Sequence, residues 1–141
     1  LPNDTVQFIN GNIYINKKKI IRKSIKSNLK IRCGSSNFKT VAYRETLPDG
    51  FSYNAVYNKE GTMNNTDLYK IPKNHYFLMG DNRDCSKDSR FLSSVGYVKK
   101  ENLVGKAQFI FFSNDTVKSK LIAFWNIKES LRLDRFFKKL S

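Results

Sequence analysis

Acidic side chains are scarce in this sequence, 12 Asp and Glu against 26 Lys and Arg, and the stretch between Asp4 and Glu45 contains none. The resulting formal charge of +14 favours anionic partners such as lipid headgroups or nucleic acid, and bears on association rather than on fold. Histidine is limited to His75 and cysteine to Cys33 and Cys85. So few ligands, without close spacing, exclude a zinc centre and a disulfide framework of the kind that staples small secreted domains. Long apolar runs are absent as well. The longest, Phe109-Ile-Phe-Phe112, is interrupted by Gln108 and Ser113 and falls far short of the roughly 18 residues needed to cross a bilayer. No stretch at Leu1 reads as a signal peptide.

What is present supports a folded β domain. The 141 residues are 40% hydrophobic and 13% aromatic, enough for one domain with a core. Val6 and Phe8, then Ile13 and Ile15, alternate on either side of Asn10-Gly11, a strong hairpin signal, and a turn at Lys17-Lys18 returns the chain through Ile20. Residues 37–45 read as a strand, Pro48-Asp49-Gly50 as a turn, and 51–57 as the returning strand, with Phe51, Tyr53, Ala55 and Tyr57 on one face. Residues 59–66 read as a polar loop, 75–79 as a short buried strand and 103–113 as a core strand. Leu133, Phe136, Phe137 and Leu140 share one helical face, which predicts a short amphipathic helix at the carboxy-terminal end. The fold class expected is mainly β, built from antiparallel hairpins.

The richest chemistry lies in Gly80-Asp-Asn-Arg-Asp-Cys-Ser-Lys-Asp-Ser-Arg90. Charges of both signs, two serines and turn-forming residues are concentrated in one connection after a predicted strand, where functional groups are commonly mounted. The segment resembles the last signature box of bacterial type I signal peptidases, G-D-N-R-D-N-S-x-D-S-R, and departs from it only at Cys85. Leu1-Pro-Asn-Asp4 is similar to the end of the preceding box, K-R-x-x-G-L-P-G-D, and Glu101-Asn-Leu-Val-Gly-Lys-Ala107 to the segment after the last one.

This resemblance implies a metal-free and cofactor-free serine endopeptidase that uses a Ser/Lys dyad to remove signal peptides from secretory preproteins. A lysine in an apolar pocket loses its proton more readily, and its neutral amine can then accept the serine proton. The family's nucleophilic serine and basic lysine belong to earlier boxes, for which this sequence has no matching residues. The expectation is therefore the carboxy-terminal part of such an enzyme, starting just after the lysine and inactive alone. The resemblance places residues 1–22 in core hairpins, 23–70 in a variable β insertion and 71–113 in the catalytic core, and the residue pattern makes 114–141 a basic amphipathic tail. It gives Ser86 the part of hydrogen-bonding the lysine. Asp81, Asp88 and Arg90 are expected to brace the loop by ion pairs and hydrogen bonds, Gly80 to allow a backbone conformation or a close approach that a side chain would block, and Asn82 and Ser89 to bond local backbone groups.

Other readings of the same residues are weaker. A calcium loop would put the cation Arg83 among its ligands. Cys85 has no accompanying histidine motif to make it a nucleophile and reads as a tolerated small polar replacement for asparagine. Arg83 and Asp84 are expected to pair with surface groups. The basic stretch from Arg22 to Arg32 reads as a solvated face, and no aromatic stacking motif supports nucleic-acid binding; an alternative function is a non-catalytic basic β module on nucleic acid or an anionic membrane. Phe124, Trp125, Phe136 and Phe137 beside Arg132, Arg135, Lys138 and Lys139 suit a helix that lies at a membrane interface or packs against the β core. The family implies the extracytoplasmic side of a bacterial inner membrane. Unpaired strand edges predict a dimer or strand-swapped assembly.

Overall fold

Asn10 and Gly11 adopt φ of 48° and 70°, the left-handed pair that a two-residue turn needs to match the twist of its strands. They join β1 (Thr5–Ile9) to β2 (Asn12–Ile15) in the register Val6↔Ile15 and Phe8↔Ile13. A second tight turn follows at Asn16-Lys17, φ 49° and 65°, one residue earlier than the sequence predicts, and leads into β3 (Lys18–Lys19). Asparagine tolerates the left-handed conformation better than lysine, and that shifts the turn. The computed structural model describes residues 1–26, 31–33, 36–58, 64–111 and 135–139. Cα packing divides the chain into two compact units, Leu1–Leu103 and Val104–Ser141.

The first unit holds the sheets. One has the order β3-β2-β1-β9, with β9 (Tyr69–Lys70) antiparallel to β1. Its inward residues Val6, Phe8 and Ile13 pack with Ile20, Tyr69 and Ile71, and Ile15, Leu47, Phe77, Met79 and Tyr97 lie against them. Each such side chain contributes about 1.5–3 kcal/mol by burial.

A second sheet has the order β4-β7-β8, from β4 (Ile21–Ile25), β7 (Thr40–Thr46) and β8 (Ser52–Asn58). The 37–45 prediction is divided here, because β5 (Ile31–Cys33) and β6 (Ser36–Phe38) form their own two-stranded pair before β7 starts. The predicted turn stands, with Gly50 at φ 88° and Leu47 and Phe51 bonded across it. The pairs Val41↔Tyr57, Tyr43↔Ala55 and Glu45↔Tyr53 put one glutamate among aromatic side chains. Arg22 faces Glu45 from β4. Its guanidinium lies 4.6 Å from the Tyr43 ring centre and 5.2 Å from that of Tyr57, so this end of the basic stretch is stacked rather than free in solvent.

Three other expectations need correction. The strand after Asn74 is only β10 (His75–Tyr76), paired with β11 (Val98–Lys99). The Leu78 backbone bonds Ser89 instead, and the Gly80 amide donates to Asp88. The expected core strand of 103–113 is not formed over its described part, to Phe111, where all but the half-buried Ile110 are exposed and Val104 is 102% exposed. Apolar alternation identifies a strand former but supplies no partner. The carboxy-terminal helix is not seen at 135–139, where Phe137 has φ 53° and Lys138 bonds back to Arg135 in a turn. In that unit Phe109 bridges Lys139, and the Phe111 and Phe137 rings meet edge to face at 6.3 Å. Phe124, Trp125, Arg132, Leu133 and Leu140 lie outside the described residues.

Candidate active-site support

The 80–90 segment is fastened on two sides. Towards the second sheet, Val56 of β8 donates its amide to the Asp81 carbonyl, and Arg83 donates its amide to the Val56 carbonyl, both at 2.8 Å. Towards the first sheet, the Tyr69 hydroxyl donates to the Arg90 carbonyl at 3.1 Å. Within the turn, the Asn82 carbonyl accepts from the amides of Ser86 at 2.9 Å and Cys85 at 3.3 Å.

Asp88 and Arg90 form the inner brace. Arg90 donates through Nε to Asp88 Oδ1 at 2.7 Å and through Nη2 to Oδ2 at 2.8 Å, a two-pronged pair buried in the fold. The Asp88 carboxylate also accepts from the amides of Gly80, at 2.9 Å, and Arg90, at 3.2 Å. Burial alone would raise the Asp88 pKa. The Arg90 guanidinium and these amides outweigh it and hold the carboxyl below its ordinary value. Arg90 Nη2 reaches on to the carbonyl of Arg83 and, at 3.5 Å, to that of Ser86.

Gly80 gives Ser86 its room. A Cβ built on Gly80 would stand 2.2 Å from Ser86 Oγ and 2.5 Å from its Cβ, an overlap no side chain can occupy. Its φ is ordinary, so close approach rather than a left-handed backbone calls for glycine here. Ser89 is wholly buried, and its hydroxyl accepts from the Leu78 amide at 2.9 Å. Asp81 is exposed, with its carboxylate accepting from the Asn82 amide at 2.9 Å. The structure thus brings Gly80, Ser86, Asp88, Ser89 and Arg90 together and leaves the Asp81 side chain at the rim.

Arg83 departs from the sequence-based expectation. Its side chain is buried rather than on the surface, 2% exposed against a Glu45 that is 0% exposed, with Nη2 donating to Glu45 Oε2 at 2.7 Å. Nη2 also reaches the Tyr53 hydroxyl and Nη1 the Tyr57 hydroxyl, both at 3.1 Å. The Tyr57 hydroxyl in turn donates to Glu45 Oε1. Burial works against the Arg83 charge. Tyr57, Glu45 and Tyr53 outweigh it and hold the guanidinium above its ordinary pKa. Arg83 Nε is buried with no hydrogen-bond partner among the described residues. Asp84 also faces inward, its Oδ2 accepting from the Asn58 amide at 2.5 Å.

Cys85 is disulfide-bonded. That removes it as a nucleophile and corrects its reading as a mere polar replacement; the Cys33 side chain lies outside the described ones. Among the described residues no group of His, Cys, Asp and Glu could hold a metal ion.

Glu45, Tyr53, Tyr57 and Tyr69 are the contributors that sequence reasoning missed. One signal was available: Glu45 falls in step with Val41 and Tyr43 along β7, and a glutamate that shares a strand face with apolar side chains needs a buried cation.

A turn with charges of both signs is braced around a serine hydroxyl on a mainly β frame, and comparison with known proteins supplies the assignment. Residues 1–112 match the family described as signal peptidase, peptidase S26, and the chain belongs to it. It is 40% identical to the signal peptidase I of Rickettsia typhi over 157 aligned positions and 38% identical to that of Rickettsia conorii over 159, covering 99% of this chain in each case. The chain spans 56% of the length of these relatives. No solved structure matches it.

Proposed function

We propose that this chain is the carboxy-terminal catalytic-core part of a type I signal peptidase, which cleaves signal peptides from secretory preproteins with a Ser/Lys dyad carried elsewhere in the longer protein. The observation that carries the reading is the family match over residues 1–112, which includes the braced 80–90 turn. The lysine amine must be held deprotonated and aimed at the serine hydroxyl. Ser86 Oγ supplies a hydrogen-bonding group for that amine, and Asp88, Arg90, Ser89 and Gly80 fix its position. Asp81 and Asn82 shape the rim of the turn. In this reading the 141 residues alone do not hydrolyse peptide bonds, because the nucleophile and base are not among them.

The longer enzyme acts at the bacterial inner membrane, with these residues on the extracytoplasmic side, where preproteins emerge still tethered by their signal peptides. Among the described residues no helix is long and apolar enough to cross a membrane. The test is processing of a secretory preprotein by the full-length protein. Ser86→Ala should slow cleavage by roughly 10- to 100-fold with little change in KM, as expected for a group that orients a catalytic residue. Unchanged turnover by Ser86→Ala, or efficient cleavage by the 141-residue chain alone, overturns the reading.

A further inference from the structure

We infer that Glu45, from β7 of the second sheet, is a positioning residue for Ser86, acting through the buried cation Arg83. This inference rests on the proposed function and adds to it a residue outside the signature segment.

Ser86 is placed by its amide bond to the Asn82 carbonyl, by the reach of Arg90 to its own carbonyl and by the contact with Gly80. The first depends on where residues 82 and 83 lie, Arg90 also binds the Arg83 carbonyl, and the disulfide at Cys85 holds the neighbouring residue; Arg83 is where several of these restraints meet. Its amide is bonded to Val56 of β8, its carbonyl accepts from Arg90 Nη2, and its guanidinium is held by Glu45, Tyr53 and Tyr57. Glu45 supplies the carboxylate in that set. The other two partners are neutral hydroxyls, so the Arg83 charge has its counter-charge in Glu45 alone among the described residues. A buried guanidinium without a counter-charge turns towards water, and that removes the side-chain anchor of a residue whose amide and carbonyl are tied to Val56 and Arg90.

The geometry separates this role from general stability. Neither Glu45 nor Arg83 belongs to the apolar cluster around Val6, Phe8 and Ile13. Loss of the pair is therefore felt first in the turn and in the sheet behind it, while the first sheet keeps its packing.

The test uses the full-length protein carrying Glu45→Leu and Arg83→Met together. Replacing both members of a buried pair by apolar residues of similar size leaves no uncompensated charge and generally preserves folding. Amide hydrogen exchange should quicken about tenfold or more at Cys85 and Ser86 and stay unchanged along residues 6–15. Cleavage of a preprotein should lose kcat by about 10- to 100-fold with KM held. The same pair of substitutions placed on Ser86→Ala should cost nothing further, since both act on one group. Unchanged exchange at Cys85 and Ser86 overturns the inference, as does a further kcat loss on top of Ser86→Ala. The exchange measurement needs no catalysis. A full-length protein that folds but never cleaves preproteins thus sinks the proposed function, while the exchange still decides on Glu45.

Discussion

At the residue scale, the site depends on one absent side chain and one shared carboxylate. Gly80→Ala forces a methyl group into the space of Ser86 Oγ, so Ser86 must move or the turn must open. Cleavage by the full-length protein should drop about as far as in Ser86→Ala, while the melting temperature falls by only a few degrees, as a strain of about 1–3 kcal/mol implies. Asp88 makes a pH prediction. Its folded pKa lies below the ordinary value because Arg90 and two amides favour the carboxylate. The stability it contributes is thus fully present above the unfolded carboxyl pKa, about 3.9, and is lost as pH falls through the lower folded value. Melting curves from pH 7 to pH 2 should show this loss, and Asp88→Asn should remove its share while costing about 3–5 kcal/mol at neutral pH, since it strands Arg90.

At the scale of elements, the second sheet does more than carry surface loops. β7 and β8 present Glu45, Tyr53 and Tyr57 on one face, and β8 also hydrogen-bonds the signature segment through Val56. Burial pushes the Tyr57 hydroxyl above its ordinary pKa, with Arg83 opposing and Glu45 reinforcing the shift. The sign follows directly: a tyrosine kept protonated by the fold stabilises it below the unfolded pKa of about 10 and ceases to do so as pH rises through the higher folded value. Tyr57→Phe should therefore lower stability at pH 7 by about 1–3 kcal/mol, because it leaves Glu45 and Arg83 each one bond short. It should also flatten the alkaline limb of the stability profile, which tyrosine absorbance with far-ultraviolet dichroism would record. A variant whose alkaline limb matches the parent would show that Tyr57 ionises without consequence.

At the scale of the whole molecule, the first unit has a dry core on one side and unprotected apolar groups elsewhere. Leu78, Phe91, Leu92, Val95 and Leu103 are all exposed, and three of them fall within residues 91–95, directly after the braced turn. Outer strands β3 and β9 are two residues long, and β3 is two lysines, which blunts strand-to-strand pairing. On the first sheet, association of the 141-residue chain is therefore expected to run through these apolar side chains rather than through strand edges, whereas the second sheet has the five-residue β4 as an outer strand. Small-angle scattering should show a dimer or larger assembly that dissociates on dilution and is weakened by Leu92→Ser. A strictly monomeric profile at high concentration would count against it.

Local sequence was a good guide wherever a short-range rule operates. The Asn10-Gly11 and Pro48-Asp49-Gly50 turns, the alternation of β1 and β8, and the density of chemistry in 80–90 could all be read from neighbours along the chain. It was a poor guide at 103–111 and 135–139, where an apolar pattern had to find a partner before it could become a strand or a helix. The same limit hid the partner of Arg83. Residues 80–90 contain both members of the Asp88–Arg90 pair, so that brace is written within one segment. Glu45 lies 38 positions from Arg83, and nothing in the intervening chain announces the meeting. By itself the sequence determined the family, the hairpins and the inner brace, because each rests on residues a few positions apart. Only the tertiary structure decided which carboxylate neutralises Arg83 and which sheet steadies Ser86, because burial of a charge is settled by whatever the folded chain brings alongside it.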